Sequence, residues 1–438
     1  MIFIRGELRR FASAEAMAGL GRIPLNYQWL WLRDGRSSAR SIKFIALAGA
    51  AAAQARAMTQ LHVAICGAGR TGHLNAALFA RRPGVHVSLL TRNEEVVARL
   101  RGGEITVQLP NGEAFSARPD LVTMDAAAAV AQADVVVVTA PAHVRPAVLE
   151  AIAEHLPRDK PVHVGAIPGF CGFDWLAAEA LRGRPNAVIW GLKDVPHTAF
   201  ALDPGKSIRM GGAKQELSVG THRRESHERR GELLSYLQAL FDVPVALLDD
   251  YMEITLTPGN PIMHSSVIYG LIGPYAQWHG RSIPDPLCWW RDCPQLGAYF
   301  LERMDEECLA LCRAVESRFG LDLGSVKPLR QEIVEAYGDQ IADAGTMLSI
   351  LRTNRAYDDI PAPLVPIAGG EGYAIDRESR AFHEDVAYGL ALLVEMARRL
   401  NVRAPHLEEI FAWNVSYMGG LRGSSLAYFP PDWPGEPQ

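Results

Sequence analysis

Two segments in the second half of the chain carry the residues with the clearest chemistry. In the first segment, His264 follows the turn 257–261 (Thr-Pro-Gly-Asn-Pro) at the predicted start of a helix. In the second, Asp385 lies five residues after Arg380, at the predicted start of another helix. An aspartate near an imidazole fixes its tautomer and stabilises its charged form, and an arginine offers a planar fork for a carboxylate. These residue types suit acid–base chemistry on a carboxylate substrate. His264 and Asp385 could also each cap a helix or be satisfied polar groups.

A glycine-rich turn near residue 70 predicts the element that holds a cofactor beside such a site. A short apolar run leads into it and an alanine- and leucine-rich run follows, which indicates a buried strand, a turn and a helix. Gly67 permits the turn, Gly69 lets a pyrophosphate approach, and Gly72 lets helix and strand pack closely. The alternative is a tight turn in another α/β protein. The candidate cofactor contacts are Gly67, Ala68, Gly69, Arg70, Thr71 and Gly72.

The end of the next predicted strand bears on the choice of cofactor. Roughly 20 residues past the glycines, an NAD enzyme carries an acid that binds the ribose hydroxyls. This chain has Thr91 and Arg92 there. An acid would repel a 2′-phosphate, whereas a hydroxyl and a guanidinium can bind one. The pattern favours NADP(H), with NAD as the alternative, unless Arg92 is merely a solvated residue at a strand end.

Two further loops follow predicted buried strands. The first contains Pro141 and His143, and the carboxyl edge of a parallel sheet is where cofactors sit, so both are candidate cofactor contacts. The second, 168–174, contains Cys171 between glycines that permit close approach of a ligand or simply build a turn. Cys171 and Asn260 are candidate substrate contacts.

The length of the chain and a change in its secondary-structure pattern predict two domains with additional segments at the ends. The 438 residues exceed one ordinary core, and strand–helix alternation gives way to long amphipathic helical patterns. We expect an N-terminal extension over 1–57, poorly ordered or partly helical, because Met58 stands just before the first strand. An α/β Rossmann domain over 58–248, an all-α domain over 249–422 and a tail over 423–438 complete the prediction.

Composition narrows the class of protein. A net charge of −5 gives no electrostatic case for nucleic acid or an anionic membrane, and no apolar run reaches membrane-spanning length. The six cysteines are scattered without a metal-binding pattern, so we expect free thiols in a reducing, cytoplasmic compartment and no metal. Small-molecule substrates are the expected partners, and a homodimer is left open.

Most of residues 59–415 resemble the opine dehydrogenases of the octopine/nopaline type. The glycine turn is shared by many unrelated dehydrogenases, whereas the last two of the matching segments are more specific. The resemblance implies a Rossmann domain, then an all-α domain of the 6-phosphogluconate dehydrogenase-like type, with substrates meeting between them. The segments are GAGRTGHLNA, VVVVTAPAH, IPGFCGFD, NPIMHSSVIYG and AFHEDVAYGLALLVEMARRLNVRAPHLEEIFAW.

The resemblance also assigns roles to residues. It implies that His264 is the catalytic histidine, that Asp385 is its partner, and that Arg380 contacts a substrate carboxylate. The family often has proline after the histidine and after the Glu-Asp-Val, where this chain has Ser265 and Ala387. These two departures affect the geometry at the helix starts but remove no reactive group.

The implied reaction is a reductive N-alkylation. An amino acid amine condenses with the carbonyl of a 2-oxo acid, and the imine accepts hydride from the nicotinamide, so no metal is required. One alternative is a metallophore-forming opine synthase with a larger amine. Another is a ketopantoate or 2-hydroxyacid-type reductase with a single keto substrate. A non-catalytic NADP sensor would need the glycine turn but not the pair of His264 and Asp385.

Overall fold

The computed structural model describes residues 60–276, 282–358 and 360–435, and everything said below of the structure concerns them. The extension expected over 1–57 lies outside these residues. The described chain begins with α/β structure and continues with helices. The strands are β1 Leu61–Cys66, β2 Val85–Leu90, β3 Ile105–Gln108, β4 Ala114–Ala117, β5 Leu121–Thr123, β6 Val135–Val138, β7 Val162–Ala166, β8 Ala187–Leu192, β9 His197–Asp203, β10 Ser207–Ala213, β11 Leu217–Thr221, β12 Val245–Leu247, β13 Leu364–Pro366 and β14 Tyr373–Ile375.

The first region is built on an eight-stranded sheet in the order β12-β11-β8-β7-β6-β1-β2-β5. Neighbouring strands from β8 to β5 are parallel, and β11 runs antiparallel to β8. Val63 pairs with Val87 on one side and with Val135 on the other, so β1 is an interior strand of the sheet, between β2 and β6. All four valines of β6 are buried, as expected for a strand covered on both faces.

The helices of the first region cover this sheet, and an inserted sheet stands beside it. A four-stranded sheet in the order β4-β3-β10-β9 contains the β3–β4 hairpin that the Asn111-Gly112 turn predicts. The helices are α1 Arg70–Ala80, α2 Glu94–Leu100, α3 Ala126–Val130, α4 Arg145–Ala153, α5 Phe173–Ala180 and α6 His227–Phe241, with a 3₁₀ turn at Ala142–Val144.

Helices replace strands between Leu247 and Met252, where β12 ends and the next helix begins. The second region is a helical core with one two-stranded ribbon, β13–β14. Its elements are α7 Met252–Thr255, α8 Asn260–Ile272, α9 Gln295–Phe319, α10 Leu329–Tyr337, α11 Met347–Thr353, the π-helix Ala381–Leu390, α12 Ala391–Arg399 and α13 Pro405–Met418, with 3₁₀ turns at Gly338–Gln340, Arg355–Tyr357 and Ser425–Ala427.

Helix α8 is the centre of this second region. Ten of its thirteen residues are buried, and it packs against α9, the π-helix and α13. A methyl group at Gly270 would lie 2.3 Å from the backbone nitrogen of Gly297, so glycine lets α8 and α9 touch through their backbones. This close packing fixes the position of each side chain on α8, including His264.

The sequence predicts a tail over 423–438, but the part of it that the structure describes, up to residue 435, is packed. Phe429 and Trp433 are buried, and the ring of Trp175 in α5 contacts both of them. Tyr428 donates a hydrogen bond of 2.6 Å to the carbonyl oxygen of Cys171. The described part of this segment therefore binds to the first region close to the loop after β7.

Candidate active site

The His264 and Asp385 side chains form a hydrogen-bonded pair. Nδ1 of His264 lies 2.8 Å from Oδ2 of Asp385, although the two residues are 121 positions apart. An ionised carboxylate can only accept, so Nδ1 carries the proton and Nε2 is the nitrogen left for proton exchange. The imidazole is 19% exposed and the carboxyl 4% exposed. The aspartate is thus enclosed while the histidine keeps some access to solvent.

The environment of Asp385 makes this contact strong. Burial raises the pKa of Asp385 above its ordinary value, and the hydrogen bond from His264 opposes that rise. Because a buried carboxylate is costly without a partner, the N–H that His264 donates compensates part of the cost of burying Asp385. The pair therefore keeps a proton on Nδ1 and leaves Nε2 available to exchange one.

Two tryptophans complete the surroundings of His264. The rings of Trp289 and Trp290 stack on the imidazole, with centroid distances of 4.7 and 5.5 Å and interplanar angles of 21° and 17°. The two indole faces hold the plane of the imidazole ring, and an indole face can also attract a cation. Sequence reasoning missed these residues, for which the adjacent tryptophans between Cys288 and Cys293 were the only signal.

Arg380 lies five residues before Asp385 and forms an ion pair with Glu384. Its Nε donates a bond of 2.8 Å to Oε2 of Glu384, and Nη2 donates to the same oxygen. The arginine side chain is 69% exposed, whereas Glu384 is 2% exposed. Oε1 of Glu384 accepts a bond of 2.8 Å from the backbone N–H of Ala142, in the loop after β6. Glu384 thereby brings Arg380 and Asp385 next to the carboxyl edge of the sheet.

The glycine turn lies at the same edge. A methyl group at Gly72 would lie 1.8 Å from the carbonyl oxygen of Gly67, while one at Gly69 would meet no atom within 4 Å. The hydroxyl of Thr139, after β6, donates to the Gly67 carbonyl at 2.9 Å. Gly72 thus serves packing, and Gly69 leaves the open backbone that a pyrophosphate at the start of α1 needs.

Two family models match this architecture. The one described as NAD/NADP octopine/nopaline dehydrogenase, alpha-helical domain, matches residues 247–418. The one described as ketopantoate reductase PanE/ApbA matches residues 63–164, within the first region. The helical match covers α8, the π-helix and all three residues His264, Arg380 and Asp385.

Curated relatives agree over most of the chain. An uncharacterized protein of Sinorhizobium fredii is 55% identical over 376 residues, which are 85% of this chain and 99% of that protein. The octopine dehydrogenase of Mizuhopecten yessoensis is 26% identical over 370 residues, 82% of this chain and 90% of that enzyme. The chain belongs to the opine dehydrogenase family. As a member, it is an NAD(P)-dependent oxidoreductase acting on CH–NH donors.

Solved structures of opine dehydrogenases share the fold. An octopine dehydrogenase with NADH and L-arginine has a TM-score of 0.73 at 24% identity, covering 84% of this chain and 94% of that one. A yersinopine dehydrogenase with NADP⁺ has a TM-score of 0.59 at 15% identity, covering 83% and 92%. The expected order of a Rossmann domain followed by an all-α domain is confirmed. None of the described helices is long and apolar enough to cross a membrane.

Some of the predicted cofactor contacts follow the strands β1 and β2. Arg70 is exposed at the first residue of α1, and Arg92 is exposed just after β2. Thr91 is buried, and its hydroxyl oxygen accepts a bond of 3.1 Å from the Asn93 N–H. In this opine dehydrogenase the threonine shapes the turn, which leaves Arg92 as the exposed candidate for a phosphate.

The loop after β6 carries the other predicted cofactor contacts. Pro141 precedes the 3₁₀ turn, and His143 lies in it with a ring centroid 6.5 Å from that of His383. Burial lowers the pKa of His143, so this imidazole is neutral near neutral pH. A neutral ring can donate or accept a hydrogen bond, which suits contact with either a cofactor or a substrate.

The two further candidate substrate contacts have different surroundings. Cys171 is buried among Ala142, Ala387 and Tyr388, and burial raises the pKa of its thiol well above the ordinary value. Its thiol is therefore a packing group in this structure, and the predicted substrate contact stays a prediction. Asn260 is exposed at the first residue of α8.

Arg145 is a second residue that sequence reasoning missed. It is 2% exposed at the start of α4, and its guanidinium donates to the carbonyl oxygens of Ala140, Pro168 and Phe170. A buried charge needs such partners. Arg145 thereby fastens the loops after β6 and β7 to each other. The signal was a charged residue at the start of an otherwise apolar helix.

Proposed function

We propose that this enzyme catalyses the NADPH-dependent reductive condensation of an amino acid amine with a 2-oxo acid, and the reverse reaction. The product is an N-(carboxyalkyl)amino acid. The observation that carries the proposal is the 2.8 Å contact between Nδ1 of His264 and Oδ2 of Asp385, formed within the family's helical domain. NADH and L-arginine in the related octopine dehydrogenase support substrates of this class.

The chemistry assigned to His264 is transfer of one proton. The amine adds to the carbonyl carbon of the oxo acid, and the oxygen leaves as water once it has taken one proton from the amine nitrogen and one from Nε2 of His264. Asp385 holds the proton on Nδ1 and stabilises the imidazolium, so it orients the acid without itself changing charge. In the reverse direction His264 removes a proton from water as it attacks the imine.

Arg380 is proposed to bind the carboxylate of the oxo acid. Its guanidinium is largely exposed although it is held by Glu384, so a second carboxylate can reach it. A bidentate guanidinium–carboxylate pair fixes both the position and the plane of the bound acid. Arg380 would therefore hold the electrophilic carbon in one orientation relative to His264.

The glycine turn and the strand ends would hold the nicotinamide dinucleotide. Gly69 and the first turn of α1 suit the pyrophosphate, and Pro141 and His143 border the sheet edge beside it. Arg92 would pair with a 2′-phosphate, which supports a preference for NADPH over NADH. When bound, the nicotinamide supplies the hydride that reduces the imine.

The direct test is an assay of NADPH oxidation with 2-oxo acids and amines, supplied singly and in pairs. The proposal predicts oxidation that requires both substrates and an N-(carboxyalkyl)amino acid product detected by mass spectrometry. Oxidation with an oxo acid alone would instead support a ketopantoate or 2-hydroxyacid-type reductase. Activity confined to amines larger than amino acids would support a metallophore-forming synthase.

A matched pair of variants ties this activity to the site. His264→Ala should lower kcat about 10²–10⁴-fold, the usual contribution of a general acid–base group. His406 offers the control, because its Nδ1 lies 2.7 Å from Oε1 of Glu307 in an equivalent histidine–carboxylate pair. His406→Ala should leave kcat within about twofold of the wild type. Equal losses in the two variants would contradict the assignment.

A further inference from the structure

We propose that Glu384 is a positioning residue that aims Arg380 at the substrate carboxylate and fastens it to the loop after β6. The inference rests on the proposed function, in which Arg380 receives the oxo acid. Glu384 would act through Arg380 and would touch neither substrate nor cofactor. Its expected signature is selective loss of oxo-acid binding.

The first support is that both oxygens of the buried Glu384 carboxylate accept hydrogen bonds. Glu384 is 2% exposed, and each of its oxygens has one partner: Oε1 accepts from Ala142 and Oε2 from Arg380. A polar group without partners would be costly at that depth, and these two contacts compensate that cost. One partner belongs to the Rossmann region and the other to the all-α region. Glu384 therefore joins the two regions at the site.

The second support is the geometry left to Arg380. Its Nε and Nη2 donate to Glu384, which occupies one side of the planar guanidinium. The five N–H groups lie in a fixed fork, so the edge that includes Nη1 stays able to receive another carboxylate. Fixing one side of the plane orients the other side. A flexible, 69% exposed arginine would otherwise lose conformational entropy when the substrate binds.

The third support is the π-helix Ala381–Leu390, which carries Glu384 and Asp385 and begins directly after Arg380. Its wider i→i+5 hydrogen bonding lets residues five apart share a side more nearly than an α-helix does, and such turns often mark functional sites. Arg380, Glu384 and Asp385 are thus placed in one short segment with two separate tasks. Glu384 pairs with Arg380, and Asp385 remains free to pair with His264.

The test compares Glu384→Gln with the matched variant Glu395→Gln. Glu395 is also buried, lies further along the same helical run, and pairs with Arg398 and Arg399. Glu384→Gln should raise the KM for the oxo acid about 10- to 100-fold, as expected when a charge-assisted contact is lost. The KM values for NADPH and the amine should stay within about twofold. Glu395→Gln should leave all three within about twofold.

Three further measurements distinguish the inference from an effect on overall folding and from the proposed function. Because Glu384 acts through Arg380, the double variant with Arg380→Ala should bind oxo acid no more weakly than Arg380→Ala alone. Glu384→Asp keeps the charge and should recover part of the oxo-acid affinity. Calorimetric titration of the NADPH-loaded enzyme with pyruvate provides a readout that needs no turnover, and Glu384→Gln should weaken this binding by the same factor.

Failure of the proposed reaction and failure of the positioning role give different results. Absence of amine-dependent turnover, together with weakened pyruvate binding in Glu384→Gln, would overturn the proposed reaction and leave the positioning role standing. Equal pyruvate affinity in wild type and Glu384→Gln, or no binding by either, would overturn the positioning role. So would a uniform rise of all three KM values, or additive losses in the double variant.

Discussion

The two sides of this active site are built in different ways. The proposed cofactor side is centred on six consecutive residues, Gly67 to Gly72, whose contribution would be backbone geometry and open space. The catalytic side is a pair of ionisable side chains brought together from two helices, with its carboxylate buried. A backbone site depends on local conformation, whereas a site of buried charges depends on the whole fold. The catalytic side should therefore be more sensitive to isosteric changes of charge.

The largest expected effect is on the catalytic side. Asp385→Asn keeps the shape of the side chain but removes the charge that fixes the tautomer of His264. We expect kcat to fall about 10²–10⁴-fold with an unchanged KM for NADPH. Steady-state kinetics would measure both values. A kcat within a few-fold of wild type would show that the charge of Asp385 is dispensable and would remove the contrast between the two sides.

Asp174 tests whether the Rossmann side also contains a charge-sensitive element. Burial raises the pKa of this carboxyl to about 7, so the folded state holds its proton more tightly than the unfolded state. That contribution to stability is complete below about pH 4 and is lost as the pH rises through 7. The difference of about three units between the folded and unfolded pKa of Asp174 corresponds to at most about 4 kcal/mol of unfolding free energy. Asp174→Asn should therefore exceed the wild type in free energy of unfolding at pH 8.

Urea unfolding at pH 8 and pH 4 would measure this difference. The difference between the two proteins should be small at pH 4, because the carboxyl is then protonated in the fold and the pH is close to its pKa of 3.8 in the unfolded chain. A wild type that is the more stable protein at pH 8 would mean that Asp174 is ionised and satisfied in the fold.

Arg92 tests the exposed part of the cofactor side. Loss of one charge-assisted phosphate contact costs about 1.5–3 kcal/mol, or roughly 10–150-fold in affinity. Arg92→Ala should weaken NADPH binding by that factor and leave NADH binding nearly unchanged. Arg101, another exposed arginine nearby, is the control. Wild-type preference for NADH, or equal losses for both cofactors, would contradict the assignment.

The smallest expected effect concerns the aromatic stack. A cation–π contact at a partly buried site contributes about 0.5–2 kcal/mol, so Trp289→Leu, which removes an indole beside the proposed imidazolium, should lower kcat about 2- to 30-fold. Steady-state kinetics at about pH 7 would measure the loss. A wild-type kcat would limit Trp289 to packing.

What the sequence predicts follows the same division. The strand–turn–helix around Gly67 and the buried β6 are local patterns, and the structure confirms both. The pairing of His264 with Asp385 came from the family resemblance, because spacing alone left a helix cap equally open. Such a contact across 121 residues is set by the packing of α8 against the π-helix, which no local pattern encodes.

The features that sequence reasoning missed depend on tertiary contacts. Glu384 and Arg145 read as ordinary charged residues at helix starts, and only the fold shows that each joins two segments. Hydrophobic periodicity does not distinguish i→i+5 from i→i+4 hydrogen bonding, so it could not predict the π-helix. The prolines after residue 429 suggested a tail, whereas Phe429 and Trp433 are buried against Trp175.

A double-mutant cycle on His264 and Asp385 tests the central claim most directly. If the two residues act as one acid–base unit, the double variant His264→Ala/Asp385→Asn should have a kcat/KM within about threefold of that of His264→Ala alone. Losses that multiply would mean that Asp385 acts independently of the imidazole. In that case the hydrogen bond between them would not be the catalytic device of this enzyme.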